Sequence, residues 1–263
     1  MALAYERLRQ VTPLAGVVLA DNPSAMTLDG TNTWLLRDEP GRRAAVVVDP
    51  GPLDEAHLRT VAEAAGTVPL ILLTHGHSDH SDGARRLAEL TGAPVRALDP
   101  AHRYGGEGLA EGDVLEAAGV PVTVWRTPGH TADSLSFLLP AGDAEPAVLT
   151  GDTILGRGTT VVAHPDGVLG DYLDSLHRLA TLTGVTVLPG HGPELPDAGA
   201  AAAGYLAHRE QRLDQVRAVL AGRPAATARE VVERVYVDVD RVLWPAAELS
   251  VRAQLAYLRT TER

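Results

Sequence analysis

The sequence contains no cysteine and no lysine, so all 23 of its basic residues are arginine. Without cysteine, the chain can form no disulfide and offers no thiolate nucleophile or sulfur ligand for a metal. Without lysine, it has no residue for Schiff-base chemistry, for attachment of pyridoxal phosphate or for a phosphate-binding loop of the usual kind. These two absences exclude thiol and lysine chemistry.

Charge and length narrow the class further. The 34 acidic residues outnumber the 23 basic ones and give a net charge of −11, which does not attract nucleic acid or an anionic membrane through the overall field, although it leaves room for a local basic groove. The 263 residues suffice for one large domain, alone or with a small appendage. No apolar stretch reaches the length of a signal peptide or a membrane span, so we expect a cytoplasmic protein with no membrane partner.

Short aliphatic runs alternate with helical patterns over the first three quarters of the chain. Such alternation is typical of a layered α/β fold. The predicted strands are residues 32–36, 44–48, 70–73, 94–98, 122–125, 135–139, 147–149 and 185–188. The predicted helices are residues 54–65, 82–91 and 171–182, each opening with an aspartate that is suited to a helix N-cap or first turn.

The pattern changes to helices alone after Pro196. A long helix is predicted over residues 198–221, with an apolar stripe at Leu206, Leu213, Val216 and Leu220. A second helix begins at Thr227, whose spacing to Glu230 is that of a capping box, and a third covers residues 246–258. We therefore predict two domains, residues 1–197 and 198–263. The stripe suits either a packed domain or a homodimer contact.

Three histidines and an aspartate fall within six positions directly after the predicted strand 70–73. The segment 74–80 is Thr-His-Gly-His-Ser-Asp-His. Imidazole nitrogens and carboxylate oxygens are ligands that zinc and similar cations prefer. In an extended segment His75 and His77 project to the same face, whereas Asp79 and His80 point elsewhere once a helix begins at Ser78. The spacing therefore suits two adjacent ions better than one.

Three more candidate ligands follow other predicted strands after small-residue turns. His130 lies in Thr-Pro-Gly-His-Thr, Asp152 in Thr-Gly-Asp, and His191 in Leu-Pro-Gly-His-Gly. Each turn alone is more typical of a backbone feature than of a site. Because sites in open α/β sheets form at the carboxyl ends of strands, we expect these residues to join the histidine cluster.

Together these motifs resemble the His-x-His-x-Asp-His signature of the metallo-β-lactamase superfamily and its later His, Asp and His. The resemblance extends from about Asn22 to Pro193 and implies an αββα sandwich of two facing sheets with helices outside. It also implies two divalent metal ions, expected to be Zn²⁺. By this resemblance the first ion binds His75, His77 and His130, the second binds Asp79, His80 and His191, and Asp152 bridges both.

Further segments resemble one branch of the superfamily, that of the lactamase-beta-like protein two. They are residues 22–23, 27–34, 154–161 and 172–176. Members of this branch include endoribonucleases selective for single strands, and the branch has a small winged-helix-like C-terminal domain that the terminal helices match. Because little sequence follows the third helix, we do not expect nucleic-acid contacts through a wing hairpin. The resemblance thus implies a small-molecule or single-stranded RNA substrate.

The expected mechanism is hydrolysis by a hydroxide that bridges the two ions. Asp79 is the candidate to orient this nucleophile and accept its proton, and Asp49, at the end of strand 44–48, is placed either to orient a ligand histidine or simply to form a turn. Weaker candidates for substrate contacts are Asn32, Arg157, Thr159 and Thr160. Histidines 57, 102, 164, 177 and 208 have no ligand context, and we expect them to be surface or packing residues.

Several functions remain open from the sequence. The leading one is hydrolysis of a phosphodiester, as in RNA, or of an ester or thioester. A thioesterase similar to glyoxalase II shares the same ligand set. Oxidation at a single iron, as in persulfide dioxygenases of this fold, and a non-catalytic binding module are the remaining alternatives, and a complete second ligand set argues against both.

Overall fold

The computed structural model describes residues 4–140 and 145–261, which form two β-sheets and six α-helices. The first sheet has six strands in the order in which they occur in the chain. They are β1 (Leu8–Gln10), β2 (Ala15–Leu19), β3 (Asn32–Leu36), β4 (Val46–Val48), β5 (Ile71–Leu72) and β6 (Val95–Arg96). Pairing is antiparallel from β1 to β4 and parallel from β4 to β6.

The second sheet has five strands in the order β11-β10-β9-β8-β7. They are β7 (Val114–Ala117), β8 (Val120–Arg126), β9 (Leu135–Leu139), β10 (Ala147–Gly151) and β11 (Thr186–Pro189). Only β10 and β11 run parallel to each other. The loops after β4, β5, β10 and β11 therefore leave from the carboxyl ends of parallel strands.

Side chains alternate between the two faces of each strand, and both faces of each sheet are buried. In β4, Val46 and Val48 face the second sheet whereas Val47 faces the helices, because successive side chains of a strand point to opposite faces. In β10, Leu149 points into the space between the sheets and Val148 points outward. Continuous aliphatic runs are required here because neither face is left to water.

Helices cover the outer face of each sheet, giving the αββα order. The helices α1 (Glu55–Ala65) and α2 (Ser78–Thr91) pack on the first sheet, and α3 (Leu169–Leu179) and α4 (Ala198–Gly222) lie over the second. The remaining helices, α5 (Ala228–Val235) and α6 (Trp244–Thr261), pack against α3 and α4. The predicted fold class is confirmed.

Several predicted bounds differ from the structure. Asp54 is the N-cap of α1, accepting hydrogen bonds from two backbone N–H groups, as predicted. The prediction was wrong for Asp82, which lies inside α2, whereas Asp171 lies in the first turn of α3, as predicted. Helix α2 starts four residues earlier than residue 82, because the ligand segment itself forms its first turn. Strands β1, β2 and β7 were not predicted.

The C-terminal helices pack against the rest of the chain. Leu213 and Val216 of the predicted stripe are buried in the cluster that also contains Val148 and Val187, so this part of the stripe is a packed face. The capping box of Thr227 and Glu230 is confirmed. The boundary at residue 197 and the homodimer stay predictions. No helix within 4–140 and 145–261 is long and apolar enough to cross a membrane.

Candidate metal centre

The seven candidate ligands converge at the carboxyl ends of strands from both sheets. His75, His77, Asp79 and His80 follow β5 in the segment that starts α2, while the other three follow β8, β10 and β11. The backbone at Gly190 passes close to Asp152, so that a Cβ atom at this position would lie 2.5 Å from Asp152 Oδ1. A residue without a side chain therefore has to precede His191.

The first group of ligand atoms belongs to His75, His77 and His130. The Nδ1 atom of His77 lies 3.1 Å from Nε2 of His75 and 3.1 Å from Nε2 of His130. Ligand atoms of a tetrahedral zinc site, at about 2.0–2.1 Å from the ion, lie about 3.3 Å from one another. The three imidazoles are thus spaced to share one ion.

The second group belongs to Asp79, His80 and His191. Nε2 of His191 lies 3.2 Å from Nε2 of His80 and 3.1 Å from Oδ2 of Asp79, and the remaining edge, from His80 to Asp79, is 3.5 Å. This triangle has the same dimensions as the first. His80 and His191 are buried, whereas Asp79 is partly exposed and borders the open side of the cluster together with His77.

Asp152 lies between the two groups. Its Oδ1 atom is 3.4 Å from Nε2 of His80, and its Oδ2 atom is 3.7 Å from Nε2 of His130. The Oδ1 atom is buried and has no hydrogen-bond partner among the described residues. A buried carboxylate oxygen without a donor is costly unless a cation binds it. The donor set and this orphan oxygen fit divalent metal ions.

Hydrogen bonds on the far side of each imidazole orient its free nitrogen towards the centre. Nδ1 of His130 donates to the carbonyl oxygen of Val161 at 2.7 Å, and Nδ1 of His191 donates to that of Gly30 at 3.0 Å. Because a carbonyl oxygen only accepts, Nδ1 of each ring keeps its proton, and in the neutral ring Nε2 carries the lone pair that binds a metal. His77 differs, since its Nδ1 atom faces the centre.

Asp49 connects both groups. Its carboxylate accepts hydrogen bonds from Nδ1 of His80 at 2.9 Å and from the backbone N–H and hydroxyl of Thr74 at 2.8 and 2.7 Å. The Thr74 hydroxyl, having donated its proton to Asp49, accepts one from Nδ1 of His75 at 3.0 Å. One buried carboxylate therefore fixes the tautomer of a histidine in each group.

Burial holds the pKa of His75 well below its usual range, and the pKa of His130 is also lowered. The cause is the same for both rings: burial penalises the charged form, and neighbouring imidazoles add repulsion. Both rings are neutral near pH 7, which is the form that binds a cation.

In the second group the neighbouring carboxylates outweigh burial, so the pKa values of the histidines are raised. Burial opposes charge at His80 and His191, but the carboxylate of Asp152 outweighs it, with help from Asp49 at His80 and from Asp79 at His191. The pKa of His80 is held well above its usual value, and that of His191 is raised to about 9. Burial would raise the pKa of Asp79, yet the hydrogen bond and charge of His191 and the charge of His80 lower it to about 2.

Comparison with known proteins decides the family. The sequence model of the Metallo-beta-lactamase superfamily matches residues 26–191, and that of the Beta-lactamase associated winged helix domain matches residues 227–263. The chain belongs to the metallo-β-lactamase superfamily. The resemblance stated from the motifs is confirmed, and the fold supports a metal-dependent hydrolase in general terms.

Three relatives illustrate the match. The chain is 33% identical over 262 residues to the Beta-lactamase-like protein 2 homolog of Drosophila melanogaster, covering 92% of this chain and 86% of that one. A Beta-lactamase domain protein from Burkholderia ambifaria superimposes with a TM-score of 0.81 at 24% identity, over 100% of this chain and 90% of that chain. TTHA1623, solved in a di-iron-bound form, gives 0.54 at 27% identity over 67% and 93%.

The weaker candidates have mostly internal partners. Asn32 is buried and donates both amide protons, to the carbonyl oxygens of Pro189 and Gly192, so it supports the loop of His191 instead of facing a substrate. Thr160 is also buried, and its hydroxyl lies 3.2 Å from Nδ1 of His130. Arg157 is paired with Asp29. Thr159 is exposed beside a cavity next to the ligands.

Two residues near the cluster, Thr74 and Arg209, support the ligands in ways that the sequence analysis did not predict. Thr74 lies in the histidine-rich segment, and the only sequence feature that indicates its bond to His75 is its position directly before that ligand. Arg209 is buried, donates to the carbonyl oxygen of Thr160 and lies over the ring of Tyr172, 5.1 Å from its centroid. No local pattern indicates this role, because Thr160 and Arg209 are 49 residues apart.

Proposed function

We propose that this protein is a dinuclear metal-dependent hydrolase. His75, His77 and His130 hold one ion, Asp79, His80 and His191 hold the second, and Asp152 contacts both. The observation that carries the proposal is the position of Asp152, whose carboxylate lies within 3.7 Å of His130 in the first group and of His80 and His191 in the second, while its Oδ1 atom has no donor among the described residues. The relative solved with two irons supports the number of ions. We propose zinc as the metal, because the donors are imidazoles and carboxylates.

When bound, such ions lower the pKa of a water molecule and polarise the substrate oxygen. The chain itself supplies orientation and proton transfer. Asp79 is ionised near pH 7 and borders the open side of the cluster, so its carboxylate is placed to orient the attacking water and accept its proton. Asp49 and the two carbonyl oxygens that bind His130 and His191 keep the ligand rings fixed during this step.

We propose an ester or thioester as the substrate. The net charge of −11 opposes a polyanion such as RNA, and it does not oppose a small acyl compound. The match of residues 227–263 to a winged-helix domain keeps cleavage of single-stranded RNA as the second candidate. A single-iron oxygenase or a binding module would not need the second group, whose three ligand atoms lie 3.1–3.5 Å apart.

The test combines metal content with turnover. Protein purified without chelator should contain about two ions per chain, and it should hydrolyse a thioester, a single-stranded RNA or a generic phosphodiester. Asp79→Asn should abolish turnover. Asp82→Asn, an exposed carboxylate three residues along the same helix, is the matched control and should retain it. One iron per chain, or two ions without turnover of any of the three substrates, would reject the proposal.

A further inference from the structure

A cavity of about 290 Å³ lies between the metal centre and the C-terminal helices. His130 and Asp152 form part of its wall, so it opens onto the candidate ligands. Its volume is at the lower end of the range of ligand pockets, which is about 300–1,000 Å³. A compound that reacts at the metal centre can therefore place a further part of itself in this cavity.

The wall is largely apolar, and its large apolar side chains come from three separate parts of the chain. Met26 and Leu28 contribute from the loop before β3, and Val161 contributes from the loop after β10. Val239 and Leu243 contribute from the segment between α5 and α6. Met26 is 51% exposed, so its side chain is accessible to a compound that enters the cavity. Such a wall fits the hydrocarbon part of a substrate, and it offers little to a sugar-phosphate chain.

Two arginines of α4 add positive charge to the same cavity. Arg209 is buried, whereas Arg212 is partly exposed. One terminal nitrogen of Arg212 donates to the carbonyl oxygen of Val235 and to the side-chain oxygen of Gln215, and the guanidinium lies over the ring of Tyr236, 4.7 Å from its centroid. Among the described residues neither guanidinium forms an ion pair with a carboxylate. Burial and the two arginines also lower the pKa of His208, beside them in the cavity, to about 4.

An unneutralised guanidinium in a largely apolar wall is stabilised by an anionic group that enters the cavity. Arg212 is the better placed of the two to meet it, since it is partly exposed whereas Arg209 is almost fully buried. The cavity therefore offers candidate metal ligands, an apolar wall and the guanidinium of Arg212. A compound that fits it carries a reacting group, an apolar body and an anionic group.

Building on the proposed hydrolase function, the geometry points to a substrate whose acyl part occupies this cavity: an ester or thioester of an apolar carboxylic acid that carries a second, anionic group, which pairs with Arg212. Hydrolysis adds water across the acyl bond, so that the acid and the alcohol or thiol are released. The acid product keeps the apolar body and the anionic group of the substrate and gains the carboxylate that hydrolysis forms, so it serves as a probe of binding without turnover.

The experiment is calorimetric titration of the metal-loaded protein with two series of acids of increasing chain length, linear monocarboxylates and linear dicarboxylates. At matched length the dicarboxylate should bind about tenfold more tightly, which corresponds to about 1.4 kcal/mol. Arg212→Gln should remove this preference, and Arg212→Lys should retain part of it. Equal affinity of the two series for the unmodified protein would overturn the inference.

The location is tested by a matched pair of substitutions in one loop. Val239→Phe fills the cavity and should weaken binding of both series, whereas Val237→Phe, at a side chain 63% exposed, should leave binding unchanged. Equal effects of the two variants would overturn the location. If the acids fail to bind while RNA is cleaved, this inference is wrong and the hydrolase proposal stands. If the acids bind as expected but nothing is hydrolysed, only the hydrolase proposal fails.

Discussion

Replacing Asp49 by asparagine should weaken metal binding at both ion positions, although Asp49 itself lies outside the ligand groups. The carboxylate accepts three hydrogen bonds, two from Thr74 and one from His80. An amide of the same shape keeps only one acceptor atom. If that oxygen faces His80, the amide NH₂ opposes the backbone N–H of Thr74, and if the amide is reversed it opposes the hydroxyl and the imidazole instead.

The size of the effect follows from the position of these bonds. His80 loses its partner directly, and His75 is affected through the Thr74 hydroxyl, so one ligand of each group is less well oriented. Loss of a hydrogen bond that orients a metal ligand costs about 10–100-fold in metal affinity. This corresponds to about 1.4–2.7 kcal/mol for each ion. The backbone of Asp49 is left-handed, with φ of 52°, and asparagine tolerates this conformation equally well.

The assay is competition for zinc with a chromophoric chelator, analysed for two sites. Asp54→Asn is the matched control, because Asp54 lies in the same loop but caps α1, a role that asparagine fills as well as aspartate. Thr74→Val removes the hydroxyl that connects Asp49 to His75 but leaves the bond from His80 to Asp49. It should therefore weaken chiefly the binding of metal at the group that contains His75. If Asp49→Asn leaves both affinities within about twofold of the original, the proposed orienting role is refuted.

Three further predictions concern stability. In metal-free protein the raised pKa of His191, about 9, contributes stability that is complete below about pH 6.5 and is lost as the pH rises to 9, so Tm should fall over this window and His191→Gln should flatten the profile. Gly129→Ala places a Cβ atom 2.3 Å from the Tyr172 backbone at φ of 130° and should cost roughly 3 kcal/mol or more in urea unfolding, whereas Gly158→Ala, which meets no atom, should cost only about 1–2. Thr227→Ala removes the capping box of α5 and should lower the free energy of unfolding by about 1 kcal/mol; no change would show that this cap is not stabilising.

Local patterns were sufficient for the elements whose character is set by neighbouring residues. The buried runs around β4, β5 and β10 were recognised because continuous aliphatic stretches are needed where both faces of a sheet are covered. The capping of α1 and α5 was also predicted, since a cap involves residues only two or three positions apart. Short strands near sheet edges, such as β1, have no such pattern, because their pairing depends on a partner elsewhere.

The same distinction applies to the metal centre and to its surroundings. The sequence by itself determined which residue types are available for the ligands, because imidazole and carboxylate chemistry belongs to the residues and the spacing of 75–80 is local. Only the tertiary structure decided that Asp49 meets His80, that Thr160 meets both His130 and Arg209, and that Val239 closes a cavity beside them. The three hydrogen bonds join residues separated by 30 to 49 positions, and their geometry is set by how the sheets and helices pack.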